Sequence, residues 1–271
     1  MKGKLAIGAG AALAIVALGG APATASTQEA TVSVLHLIPE TTVDAYIDGT
    51  EVIGGFEPGE LSDPMTLVAG SYDVELYAEG EGPGDAEPVA RASGVEVTAG
   101  VNLTIAGHLS ESGEPTLTAF PIDTDPVPAG QGRLTLRHLA AVPGADIRAD
   151  GAVIVQGLRN SQEASLVVPA GTVSADLVRA DTQGVGVLVP PTDLEVAEGV
   201  NTIVTAWGSE DQETLQLAVQ VVEAHSAPRG VPSGIGGAAT PGALGLLLAI
   251  GGAVWLAAIG ARATRGAEAH R

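Results

Sequence analysis

Cysteine is absent from the 271 residues, which excludes disulfides, thiol catalysis, zinc–thiolate sites and a cysteine-linked lipid anchor. Aromatic residues make up only 3%. Any core must therefore be aliphatic and thin, which suits small β-sandwiches better than one large enzyme domain. Lysine occurs only at Lys2 and Lys4, so the body of the chain has almost no positive charge. Over residues 26–232, 31 acidic residues face seven arginines, a net of −24. The part up to Pro128 carries 19 acids against Arg91 alone (−18), and the remainder 12 acids against six arginines (−6). Such a field repels nucleic acid and anionic lipid and favours cations or cationic partners. The plainer account is a solvated surface kept from aggregating. Also missing are a Gly-x-Ser-x-Gly elbow, a His-Glu-x-x-His pair and a phosphate-cradling glycine loop. A Ser–His–Asp set assembled from distant strands leaves no such trace in a sequence.

What is present is a repeat. Residues 32–49 and 134–151 share His36/His138, Leu37/Leu139, Asp44/Asp146, Asp48/Asp150 and Gly49/Gly151 at an offset of 102. Five identities in eighteen positions compare with about one expected from ordinary residue usage. Further on, Ala170-Gly171 answers Ala69-Gly70, and Gly199-Val200-Asn201 answers Gly100-Val101-Asn102. The offset falls to 101 and then 99, so the second copy has lost a few loop residues.

Within each copy, short runs of β-branched residues alternate with Gly, Pro, Asp and Asn clusters at the spacing of an all-β sandwich. The first copy predicts strands at 31–37, 43–48, 65–68, 71–78, 88–92, 94–98, 101–107 and 115–120, with no helical period. Asp48-Gly49 is a hairpin-turn dipeptide. Glu79–Asp85 is too rich in Gly, Pro and acid for regular structure, and reads as an exposed loop. The expected architecture is two tandem small β-sandwich modules, immunoglobulin-like or transthyretin-like, at 31–120 and 133–223. A linker at 121–132 joins them, and its prolines make it semi-rigid.

The ends read as export and tethering. Lys2 and Lys4, an apolar run over 5–19, and Ala21-Pro22-Ala23-Thr24-Ala25 form a signal peptide over 1–25, cut after Ala25. A Pro/Gly-rich stalk (224–242) leads to an uncharged run at 243–261 that is just long enough to span a bilayer. Arg262, Arg265 and Arg271 place the tail at 262–271 in the cytoplasm and the modules outside.

The repeated His and Asp residues are the candidates for chemistry. His36 alternates with Val32 and Val34, and His138 with Leu134 and Leu136, so both point to the core side of a strand. A histidine there more often fixes a turn through a backbone hydrogen bond than it ligates a metal. Asp44 and Asp48, like Asp146 and Asp150, lie four apart, but the Asp-x-Asp-x-Asp-Gly calcium loop is missing. If calcium binds, the acidic loop 79–87 is an equal candidate. His108 and His225 have no partner pattern, and His270 falls in the tail. No catalytic, cofactor-binding or metal-ligating residue is assigned.

His36-Leu37-Ile38-Pro39 followed by Val43-Asp44-Ala45-Tyr46-Ile47-Asp48-Gly49 resembles the opening signature of the bacterial "domain of unknown function 4397" family, His-x-x-Pro…Val-Asp-Val-Tyr-x-Asp-Gly. The similarity is closest to exported actinobacterial members. It extends through Leu67–Tyr72 and returns at His225–Gly234, which is similar to their stalk. The second copy departs from the signature, with Arg148 in place of Tyr46 and Ala141 in place of Pro39. The family carries no established activity, so the resemblance implies a surface-displayed β-sandwich of the cell envelope and transfers no site. The expectation is a non-enzymatic, membrane-tethered surface protein that contacts envelope components. A cation- or carbohydrate-binding module is the alternative, and a cell-envelope hydrolase a remote one.

Overall fold

A computed structural model describes residues 28–180 and 186–224. The expected signal peptide, most of the stalk, the membrane span, the tail, His225 and His270 lie outside those residues. The described chain is all-β. Its first half contains β1 (Glu29–His36), β2 (Val43–Ile47), β3 (Thr50–Phe56), β4 (Met65–Val68), β5 (Gly70–Ala78), β6 (Ala90–Val97), β7 (Asn102–Leu109) and β8 (Pro115–Ile122). The second half repeats the series as β9 (Gln131–Ala141), β10 (Ala145–Ala149), β11 (Ala152–Leu158), β12 (Gln162–Pro169), β13 (Gly171–Arg179), β14 (Val187–Val196), β15 (Val200–Ser209) and β16 (Gln216–Glu223).

Each half folds into two four-stranded sheets with the same topology. The first has orders β4-β1-β7-β8 and β3-β2-β5-β6, and the second β12-β9-β15-β16 and β11-β10-β13-β14. The two sheets of the first half enclose an aliphatic core that includes Val32, Val34, Ile105, Val43, Ala45 and Leu76. Leu134, Leu136, Ile147, Leu177, Val204 and Ala206 do the same in the second half.

The halves also pack directly on each other. Leu35, Leu37, Ala106 and Phe120 of the first half form a third buried cluster with Leu139, Trp207 and Ala218 of the second. Consequently β1, β7, β9 and β15 are buried on both faces along most of their length. The central pairs β1–β7 and β9–β15 are parallel, as suits strands shielded from water on both sides. Alternation decides which residue serves which layer: Val32 and Val34 face their own core, and Leu35 faces the other half.

Polar contacts complete the junction. The Arg137 guanidinium lies 4.5 Å from the centre of the Phe120 ring, and its Nε donates to Glu163 at 2.6 Å. Thr104 donates to the Gln220 side chain at 3.1 Å. The Asn160 amide donates to Leu109 O at 2.9 Å and Ala140 O at 2.8 Å, one carbonyl from each half. The connection after β8 is held down as well, with Asp123 paired to Arg133 at 2.9 Å and accepting from Asn201 at 3.0 Å.

Two strand expectations are corrected. The runs at 88–92 and 94–98 form one strand, β6, which passes Gly94 at φ +68° with a register shift against β5. β3 was not anticipated, because Thr-Glu-Val-Ile-Gly-Gly-Phe is an exposed edge strand without alternation. Its existence follows from the Asp48-Gly49 turn, where φ is +48° and +72° and Ile47 pairs with Thr50 across a two-residue hairpin.

Candidate functional site

The repeated histidines are structural. His36 is fully buried, and its Nε2 donates to Thr41 O at 2.7 Å across the turn that follows β1. His138 makes the equivalent contact to Pro143 O at 3.4 Å, and its Nδ1 accepts from Ala140 N. His108, without a motif in the sequence, is equally buried. Its Nδ1 donates to Leu109 O at 2.8 Å, and its Nε2 accepts from the Thr118 hydroxyl at 2.9 Å. The carbonyls fix which ring nitrogen carries a hydrogen, since a carbonyl can only accept, and in His138 the Ala140 N–H requires the other nitrogen to be bare.

Burial depresses the pKa of all three imidazoles, against the opposing pull of their backbone carbonyls; for His108 the nearby His138 lowers it further. In the unfolded chain each returns to about 6.5. Above that pH the shift leaves stability unchanged. Below it the unfolded chain takes up protons that the folded one refuses. Stability then falls, by up to about 1.4 kcal/mol per pH unit for each histidine, until the folded-state value is reached. Urea midpoints are expected to decline from pH 6.5 to 5.5. A constant midpoint over that range would mean that folding does not lower the affinity of these imidazoles for protons.

The repeated aspartates are structural too. Between Val43 and Ala45 the β2–β3 ladder takes two steps on one strand and three on the other, a bulge containing Gly55 at φ +62°. The Asp44 carboxylate accepts from Gly55 N and Gly80 N, both at 2.7 Å. Asp146 accepts from Gly157 N at 2.7 Å across the same bulge in the second half. Asp48 lies in the hairpin turn and accepts from Asp73 N at 2.8 Å. Hydrogen bonds to a charged acceptor contribute about 1.5–3 kcal/mol each. Asp44→Ala is therefore expected to cost about 3 kcal/mol and Asp146→Ala about half that, read from urea midpoints. Equal losses would contradict a separate role for the Gly80 contact.

The outer sheet of the first half carries an aromatic, acidic face. Tyr46 and Tyr77 meet edge to face with ring centres 5.3 Å apart. Tyr46 donates to Glu51 and to Glu81 O, both at 3.3 Å, and Tyr77 donates to Glu75 at 3.3 Å. Desolvation first and then the neighbouring carboxylates raise both phenol pKa values. The loop expected at 79–85 is largely exposed, but Gly82 packs so closely on Tyr46 that a Cβ there would lie 2.8 Å from its hydroxyl. In the second half Arg148 and Asp176 form a bidentate pair at the corresponding position.

A cleft of about 840 Å³ lies where the halves meet. One wall is the connection from β3 to β4, including Pro58, Leu61 and Asp63, and the other is β16 at Gln216–Val219 with Trp207 beside it. The sequence repeat did not reveal this cleft, because it belongs to neither copy alone.

Residues 30–148 match the family described as Domain of unknown function (DUF4397). That stretch of the chain belongs to the family. The DUF4397 match covers the first sandwich and runs on through β9 and most of β10. Within the matched stretch, His36, His138, Asp44 and Asp146 of this chain make turn and bulge contacts. No curated protein matches the chain. Among the described residues no three His, Asp or Glu side chains are grouped to hold a metal ion.

Proposed function

We propose that the protein is a non-enzymatic surface protein of the cell envelope. In this reading it is exported by residues 1–25, anchored by residues 243–261, and presents two immunoglobulin-like or transthyretin-like sandwiches that contact other envelope components. The observation that carries it is where the chemically capable residues go. The motif His and Asp side chains hold turns and bulges within the fold, whereas the surface offers an inter-repeat cleft and strongly acidic faces. The charge of the first half favours a cationic counterpart over nucleic acid or anionic lipid.

Crosslinking on intact cells, followed by identification of the attached molecules, tests this reading. Discrete partners linked to residues 28–224 are expected, and crosslinks confined to the cytosol would sink it. The acidity of the first half supports one second reading, cation binding. A ligand of the folded state must raise the melting temperature. Contact without cation binding predicts the same melting curve with and without millimolar calcium, and a clear upward shift would favour the second reading.

A further inference from the structure

The end strands of the four sheets differ in how they are protected against further pairing. β4 has four residues. β3, β6 and β11 are distorted by register shifts. β8 contains Pro115 and Pro121, and β14 contains Pro190 and Pro191. β12 carries Glu163 and ends on Pro169. These are recognised ways of blocking edge-to-edge association. β16 has none of them. Its eight residues pair with β15 in unbroken register, and it contains no proline and no charge before Glu223. Among the described residues its other edge pairs with nothing.

That edge is the wall of the inter-repeat cleft. Gln216, Leu217, Ala218 and Val219 line it consecutively. Leu217 and Val219 belong to the core side of β16, and Ala218 to the side facing the first half. A cavity that meets successive residues irrespective of face meets the strand edge-on. Alternate backbone N–H and C=O groups of such an edge point away from its one partner, and an extended polypeptide satisfies them. Opposite stands the β3–β4 connection, with Leu61 and Met65 as apolar contacts and the exposed carboxylates of Glu60 and Asp63.

We propose that this cleft receives an extended segment of a partner protein carrying lysine or arginine, which adds to β16 as a fifth strand. Charge selects this occupant over a second copy of the chain. Each copy carries −24 over residues 26–232 and repels another, while Glu60 and Asp63 attract a cation. The proposal rests on the contact function above and specifies the chemistry of the partner.

The test uses the full-length chain with two short synthetic peptides, one alternating valine with lysine and threonine, the other with glutamate in place of lysine. The lysine peptide is expected to bind, to slow amide exchange along Leu217–Val221, and to bind less well as salt is raised. Asp63→Lys is expected to weaken that binding roughly fivefold with an unchanged melting temperature, since among the described residues the Asp63 carboxylate makes no hydrogen bond or ion pair and only its backbone carbonyl accepts, from the Ser62 hydroxyl. Equal binding of both peptides, or protection elsewhere with β16 unaffected, would overturn the proposal. So would slow exchange along β16 before peptide is added together with a dimer in sedimentation, because a second copy would then own the edge. Should the Asp63 variant fail to fold, the comparison of the two peptides on the wild-type chain still decides. Failure of the lysine peptide while cell-surface crosslinks persist through other faces overturns strand addition and leaves the contact function standing.

Discussion

Val34→Asp is expected to unfold the first sandwich. Val34 is 0% exposed and sits in the middle of β1, its side chain in the aliphatic cluster between the two sheets. β1 pairs with β4 on one side and β7 on the other, so the strand cannot swing out to hydrate a carboxylate without breaking two ladders. The cluster around it is built from aliphatic side chains and Phe56, which give a carboxylate no partner. An unpaired buried charge costs several kcal/mol, on top of the lost valine packing of about 1.5–3 kcal/mol. Typical domains hold only about 5–15 kcal/mol in total. The expected outcome is loss of the native circular dichroism of the first half at room temperature, with exposed β1 amides in hydrogen exchange. Val68→Asp is the matched control, because Val68 is 61% exposed on β4 and should change the melting temperature little. If Val34→Asp melted like the wild type, the facing of β1 deduced from alternation would be wrong.

The alternation of β1 and the paired hairpins were legible in the sequence because each depends on neighbours a few residues apart. Asp-Gly at 48–49 dictates a two-residue turn, and Val32, Val34 and His36 share a face through the period of the strand. The docking of the halves was not legible in the same way, because beside the repeated pair Leu37 and Leu139 it depends on residues that differ between the copies. Leu35 in one copy corresponds to Arg137 in the other, and His108 to Trp207. A comparison that searches for identities passes over such positions. A signal did exist: Leu134–Ala141 and Ile203–Trp207 contain apolar residues at both even and odd positions, the mark of a strand covered on both sides. The junction joins the repeated pair Leu37 and Leu139 to residues that differ between the halves, such as Leu35 and Trp207. The same limit applies to the cleft, whose walls come from the β3–β4 connection of one half and β16 of the other.

Trp207→Ala is expected to uncouple the two halves. Trp207 is 4% exposed and contributes the largest side chain of the inter-repeat cluster, where it packs with Leu35, Leu37, Phe120 and Leu139. Removing a buried tryptophan costs about 3–5 kcal/mol through lost burial and the cavity left behind. Among the described residues its Nε1 has no hydrogen-bond partner, so truncation also relieves a penalty of about 1–3 kcal/mol and the net loss falls toward the lower end. Trp207→Phe separates these terms, since it keeps most of the packing and removes the unmet donor. Both variants lose the donor, so that relief cancels between them: Trp207→Phe should cost less than Trp207→Ala by the packing difference alone, and its own cost relative to the wild type should be smaller than the lost ring area suggests. The location of the loss matters more than its size. The cluster is the main apolar contact between the halves, supported by Arg137 over Phe120 and by Asn160 bridging Leu109 and Ala140. In the wild type these contacts make the unfolding of either half costly to the other, and calorimetry should show one dominant transition. In Trp207→Ala that transition should split or broaden, because each sandwich keeps its own core and loses only its neighbour. An unchanged single transition in Trp207→Ala would show that the aliphatic and polar contacts suffice to couple the halves. Two resolved transitions already present in the wild type would show that the sandwiches fold as separate units despite the buried junction.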